Sequence, residues 1–164
     1  MLHPTKEELF SILASVHDPE TPAVNVVEMG IVRDVEFSGG AVHVTITPTY
    51  SGCPAMKVIE DDIVASLRSA GYENTFVATV SSPAWTTAWL SDSTKRKLKT
   101  YGIAPPQQIP EEVILLLPTI QETVPCPFCE SSETEVRSDF GSTACKALHY
   151  CNNCRQPFEH LKEI

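Results

Sequence analysis

Positive charge is scarce in this sequence: 12 Lys and Arg stand against 21 Asp and Glu, a formal net charge of −9. So acidic a chain lacks the electrostatic footprint of a general nucleic-acid binder or of a protein drawn to an anionic membrane surface. Long apolar runs are missing as well. No stretch is long enough to span a bilayer, and no early basic segment leads into an apolar run of signal-peptide length, so a cytoplasmic protein is expected. The marks of an oxygen-activating or nucleotide-using enzyme are also absent. There is no Glu-x-x-His pair for a di-iron centre, no glycine-rich dinucleotide loop and no phosphate cradle. What is present is an ordinary globular composition over 164 residues, room for one domain and a small satellite, together with six cysteines.

The first of those cysteines sits in Thr49-Tyr50-Ser51-Gly52-Cys53-Pro54, between an alternating strand and an amphipathic helix. Val42, Val44 and Ile46 alternate with His43, Thr45 and Thr47 over Ala41 to Thr47, the period of a strand. Pro54 suits the first helical position, and Met56, Ile59, Ile63 and Leu67 recur at helical spacing before Gly71. Cys53 is therefore expected at a helix N-terminus, where unpaired N–H groups and the helix dipole favour a thiolate, a nucleophile and a metal ligand. The plainer alternative is a small buried hydrophobe filling the loop.

Elsewhere in the first hundred residues, Thr5 and Glu8 form a capping box for a helix with Leu9, Ile12, Leu13 and Val16 on its buried face. His17-Asp18-Pro19-Glu20-Thr21-Pro22 reads as a loop bearing two carboxylates. Ile31 to Phe37 reads as a strand interrupted by Arg33, and Ser38-Gly39-Gly40 turns it back into the Ala41 strand. A third strand is expected over Asn74 to Ser81, ended by Pro83, with at least one of Trp85 and Trp89 in the core. Ser91 to Tyr101 reads as a helix that gathers Lys95, Arg96, Lys97 and Lys99, a solvated face or a docking patch for an acidic partner. Ala104 to Pro110 is proline-rich, and Val113 to Leu117 is a short apolar run.

Cys126-Pro127-Phe128-Cys129 and Cys151-Asn152-Asn153-Cys154 are separated by 21 residues. Two such C-x-x-C pairs in a reducing compartment make a four-thiolate zinc site the default reading, ahead of disulfides, and a module this small needs such a staple. Iron or an iron-sulfur cluster is the alternative occupant. Cys145 is a spare thiol, read as an ordinary hairpin residue. The expected fold class is α+β: a small α/β domain with a mixed three-stranded sheet over residues 1–104, a proline-rich linker and short strand over 105–118, and a four-cysteine zinc-ribbon-like β domain over 119–164.

Asp18-Pro19-Glu20 with Pro22, the run Val26 to Val32, and Thr49-x-x-x-Cys53-Pro54 resemble the small α/β domain of the SufT-like iron-sulfur assembly family, with Glu28-Met29-Gly30 in place of that family's usual Asp-Leu-Gly. Over nearly its whole length the chain is similar to the D-subunit family of bacterial phenylacetyl-CoA epoxidase systems. That likeness is carried by Trp85 to Trp89, Gly102 to Pro106, Phe140 to Thr143, Cys145-Lys146-Ala147 and the two cysteine pairs. The resemblance implies an accessory protein of phenylacetate catabolism without catalytic activity of its own, working beside the oxygenase and reductase subunits in maturation of their metal centres. On that reading Cys53, supported by Asp18, Glu20 or Glu28, holds iron or a cluster in passage. The alternative is a docking subunit with only a structural metal. Neither reading calls for nucleic acid or membrane as a partner, and both leave homodimerisation open.

Overall fold

The computed structural model describes residues 3–107 and 123–164. The apolar run at 113–117 lies outside the described residues. The chain is α+β and divides into two compact units, Met1–Thr94 and Lys95–Ile164.

In unit 1, α1 (Lys6–Leu13) starts at the Thr5 capping box, in which Glu8 N–H donates to Thr5 Oγ1 and Thr5 N–H to Glu8 Oε2. It ends three residues short of Val16, which is nevertheless buried. The segment expected as a loop is a small hairpin instead: β1 (His17–Asp18) pairs antiparallel with β2 (Thr21–Asn25), and Pro19 and Glu20 form its turn. Proline is tolerated there because a two-strand ribbon has edges that need no N–H.

β3 (Val32–Ser38) and β4 (Ala41–Ile46) form an antiparallel hairpin across Gly39 and Gly40, both at positive φ. The irregular alternation around Arg33 has a structural cause. The register shifts between Val32 and Asp34, so Val32 and Val35 are both buried while Arg33 stays exposed. β5 (Thr75–Thr79) lies parallel to β4 and completes a sheet of order β3-β4-β5. The parallel step is made by α2 (Ala55–Ser69), which buries Ala55, Ile59, Ile63 and Leu67, and a crossover of that kind needs an intervening helix. Val42, Val44 and Ile46 supply the sheet side of this core. Trp85 is buried, and its indole N–H donates to the Met29 carbonyl at 2.8 Å. Trp89 ends a 3₁₀ turn (Thr87–Trp89) with the Arg33 guanidinium 3.6 Å from its ring centroid.

α3 (Asp92–Tyr101) crosses the division between the units. In unit 2, β6 (Ile103–Ala104), β7 (Thr134–Ser138), β8 (Lys146–Cys151) and β9 (Pro157–Leu161) make a sheet of order β6-β9-β8-β7. β6 runs parallel to β9 and the other pairs are antiparallel. The division falls before the expected boundary at 104 because Ile103 and Ala104 pair with Glu159 and His160. A small core of Ala104, Val124, Cys126, Cys151 and Phe158 holds the unit together, with Cys129 and Cys154 packed against it. Lys146, almost fully buried, is neutralised by Glu159 at 3.3 Å, and Glu159 also accepts the Ser142 N–H.

Candidate functional site: a half-buried thiol and a four-thiolate centre

Cys53 is half-buried at the end of the loop that leaves β4. Gly52 before it takes positive φ, with nothing near its Cα to exclude a side chain, so backbone conformation is what calls for glycine there. The helix begins one residue later than expected, because Pro54 is the N-cap and Ala55 the first helical residue. Two carboxylates expected near Cys53 are near it. β1 packs beside α2, and the hairpin turn brings Glu20 Oε2 to 4.0 Å from Cys53 Sγ, a long contact in which the thiol donates. Asp18 is buried, and its Oδ1 accepts the Glu20 N–H at 2.9 Å, fixing the turn that presents Glu20. Glu28 is engaged in the turn after β2, where its carboxylate accepts the Asn25 N–H while Asn25 Oδ1 accepts those of Val27 and Glu28.

The electrostatics of Cys53 reverse the expectation of a helix-activated thiolate. Burial pushes the thiol up from its ordinary value, and the charges of Glu20 and Asp18 push it further. The Ala55 N–H and the Tyr50 side chain pull the other way, and they lose. Tyr50 is the residue that sequence reasoning passed over here. Its place three residues before the cysteine was visible, but its hydrogen bond to Cys53 was not. The thiol is thus held protonated beside two carboxylates, an arrangement that disfavours an anionic sulfur alone and accommodates a sulfur bound to a cation.

Glu20→Gln removes one of the charges that hold the proton on. It is expected to lower the Cys53 thiol pKa and to speed iodoacetamide alkylation at neutral pH by up to about tenfold, since each pKa unit changes the thiolate fraction tenfold. The sign follows from ionisation: below the thiol pKa the rate tracks the thiolate fraction, and above it both proteins are fully ionised and the gap closes. Superimposable rate profiles from pH 6 upward would mean that Glu20 does not act on Cys53.

The four remaining paired cysteines converge. The Sγ atoms of Cys126, Cys129, Cys151 and Cys154 all lie within 4.8 Å of one another, the one such group of three or more metal-ligating side chains among the described residues. Cys126 to Cys154 and Cys129 to Cys151 are each 3.6 Å apart. That is far beyond a disulfide of about 2.05 Å. It is close to the ~3.8 Å between sulfurs placed tetrahedrally about 2.3 Å from a central ion. Two matching backbone knuckles produce the convergence. In each, the first cysteine's carbonyl accepts an N–H from four residues on (Glu130 and Arg155, both 2.9 Å), and its own N–H donates five residues on (to Ser131 and Gln156, both 3.0 Å). Glu130 and Arg155 adopt positive φ, of 63° and 59°, to close these turns. The donor set, four thiols on two rigid turns, suits a metal ion.

Cys145 stands apart from this centre in the sheet unit. It is buried just before β8, with its sulfur 3.1 Å from Thr143 Oγ1. His149 is buried between Phe158 and His160, and burial, with the neighbouring His160, holds its pKa below the ordinary value.

Together the fold and the thiols define a small α/β domain with a half-buried cysteine, followed by a four-cysteine β ribbon suited to a metal ion. The iron-sulfur cluster assembly protein family matches residues 6–81, and the PaaD zinc beta ribbon domain matches residues 116–162. The chain belongs to the PaaD family, the D subunits of phenylacetyl-CoA epoxidase. It is 36% identical over 98% of its length to the protein of Escherichia coli (strain K12) named for that place in 1,2-phenylacetyl-CoA epoxidase, covering 94% of it. It is also 36% identical to the Fe-S protein maturation auxiliary factor YitW of Bacillus subtilis (strain 168), over 49% of this chain and 80% of that one. Among solved structures, a domain of unknown function from Bacillus anthracis superposes with a TM-score of 0.53 at 29% identity, over 57% of this chain and 90% of that one. An iron-sulfur assembly or accessory role follows from these relationships. No helix of the described residues is long and apolar enough to cross a membrane.

Proposed function

We propose that this chain is an accessory maturation protein of a phenylacetyl-CoA epoxidase system, assisting the assembly of iron or iron-sulfur centres in its oxygenase and reductase subunits. The observation that carries the reading is the meeting of Cys53 with Glu20 and Asp18 at the start of α2. Without cargo, burial and then the two carboxylates keep the sulfur protonated. When iron or a cluster arrives as cargo, the Cys53 proton leaves to solvent, and the two carboxylates, still ionised, then favour the bound cation. Cys53 and Glu20 are a short ligand set, with Asp18 holding the turn that presents Glu20, so a client with a full set outcompetes them and the cargo moves on. Cys126, Cys129, Cys151 and Cys154 hold a structural zinc in a module that docks rather than reacts.

The test is loading of the clients in cells. Replacing the chain by its Cys53→Ala variant is expected to lower iron and acid-labile sulfide in the purified oxygenase and reductase to the level found without the chain, while the variant's own zinc is unchanged. Normal loading in the variant would sink the carrier reading and leave a protein that only docks.

A further inference from the structure

The sheet of unit 1 ends in two unlike edges. β3, at one edge, carries Arg33, Asp34 and Glu36, contains the irregularity between Val32 and Asp34, and is flanked by α1, whose Lys6 pairs with Asp34. Charge, bulges and a covering helix are the means by which a strand edge is kept from pairing with another chain. β5, at the other edge, has neither charge nor a bulge, and α2 packs against it as α1 does against β3. Its residues Thr75-Phe76-Val77-Ala78-Thr79 are uncharged, β-branched or aromatic apart from the alanine, and free of proline. Among the described residues only β4 pairs with it. Phe76 is 60% exposed, and Ala78 and Thr79 are exposed beside it. The register that aligns Glu36, His43 and Phe76 puts Phe76 on the open face of the sheet, stacked on His43 at 5.4 Å between centroids.

We propose that β5 is the interface of a symmetric homodimer, pairing antiparallel with β5 of a second copy about a two-fold axis at Val77. The strand's own sequence selects that occupant. A two-fold axis at residue 77 sets position 76 opposite 78 and position 75 opposite 79. The large Phe76 therefore meets the small Ala78 of the partner subunit, twice, and threonine faces threonine at both ends. Continued outward, the same register sets Asn74 against Val80 and Glu73 against Ser81, so no like charges meet although each copy carries −9. A foreign strand would need only an uncharged edge. A sequence that matches its own reversal, large to small about its centre, is what self-pairing demands.

Sedimentation velocity of the full chain from about 1 μM to about 1 mM tests this. Wild type is expected to dimerise reversibly. Phe76→Lys puts a charge into both symmetry-related contacts and is expected to weaken the dimer at least about tenfold. Phe76→Ala combined with Ala78→Phe exchanges the pair and keeps the match, and should hold the dimer within about threefold of wild type. Circular dichroism confirms that each variant is folded. A monomer at every concentration would overturn the proposal, and so would a dimer indifferent to Phe76→Lys, which must use another face. Equal weakening by the exchange variant would also overturn it, because the large-to-small match would then not be what pairs the strands.

Discussion

Stripping the metal from the four-thiolate centre is expected to unfold unit 2 while unit 1 keeps its structure. The reason lies in where the ligands sit. In the cluster of Ala104, Val124, Cys126, Cys151 and Phe158, two of the five members are themselves ligands, both fully buried, while Ile103, Ala147 and Leu161 are buried elsewhere in the unit. A unit of this size has little apolar burial to set against the entropy of ordering its chain once the staple is gone. Structural zinc contributes on the order of 10–16 kcal/mol at neutral pH in comparable small modules, more than such a core could supply. Cys151→Ser should act as chelation does, since it removes a ligand and places a hydroxyl in a dry position. The check is NMR of the full chain with and without a strong chelator: resonances of β7, β8 and β9 should collapse to random-coil positions and return on adding zinc, while those of α2 and β4 stay put. Retention of the β8–β9 cross-strand contacts after the metal is gone would show that the sheet stands without a staple. Acid should do the same work. Among the metal-free thiols, Cys129 is lowered to about 6 by the Ser131 N–H and the Asn153 amide, whereas burial and the other thiols push Cys154 up to about 12. Binding must therefore expel protons, and the metal is lost as pH falls.

The two sites were not equally legible in the sequence. The four-thiolate centre was, because each half is a local turn: the spacing of Cys126 to Cys129 and of Cys151 to Cys154 leaves the backbone few ways to aim both sulfurs at one point. Helix α2 was legible for a similar reason, its buried Ile59, Ile63 and Leu67 standing at intervals no strand would produce. The Cys53 site was legible only in its residue types. Cys53 and Glu20 lie 33 residues apart, and what joins them is a hairpin that the two prolines disguised as a loop. The direction of the thiol's shift was hidden too. Helix position argues for a thiolate, and burial with two nearby carboxylates argues against it, so the sign depends on distances that a sequence does not contain. Strand β6 was missed because two residues are too few for any period to show. Its pairing with β9 moved the boundary between the units to the N-terminal side of α3's basic residues.

Trp85→Ala is expected to cost about 3–5 kcal/mol, the usual toll of emptying a buried aromatic site, and to disturb Cys53 without touching it. Trp85 closes over the turn Glu28-Met29-Gly30. Its N–H satisfies the Met29 carbonyl, and Gly30, at φ +73°, lies so that any Cβ would face the Trp85 Nε1 and the Trp89 Cβ at 3.6 Å. From that turn the chain passes to Ile31, whose carbonyl accepts the Thr47 N–H at 2.8 Å, and Thr47 begins the loop that delivers Cys53. The same turn ties back to β2 through Val26, whose carbonyl takes the N–H groups of Ile31 and Val32 and whose N–H bonds Val16. Loss of the indole therefore loosens both segments that meet at the Cys53–Glu20 contact. Trp85→Phe separates packing from hydrogen bonding: it keeps most of the apolar volume, leaves the Met29 carbonyl without its donor, and should cost about 1–3 kcal/mol. Urea denaturation followed by unit 1 signals gives both numbers. The readout specific to the site is Cys53 alkylation under native conditions, which should rise in Trp85→Ala well beyond the fraction globally unfolded and rise less in Trp85→Phe. If alkylation follows global unfolding alone in both variants, the Met29 turn supports the core but not the site.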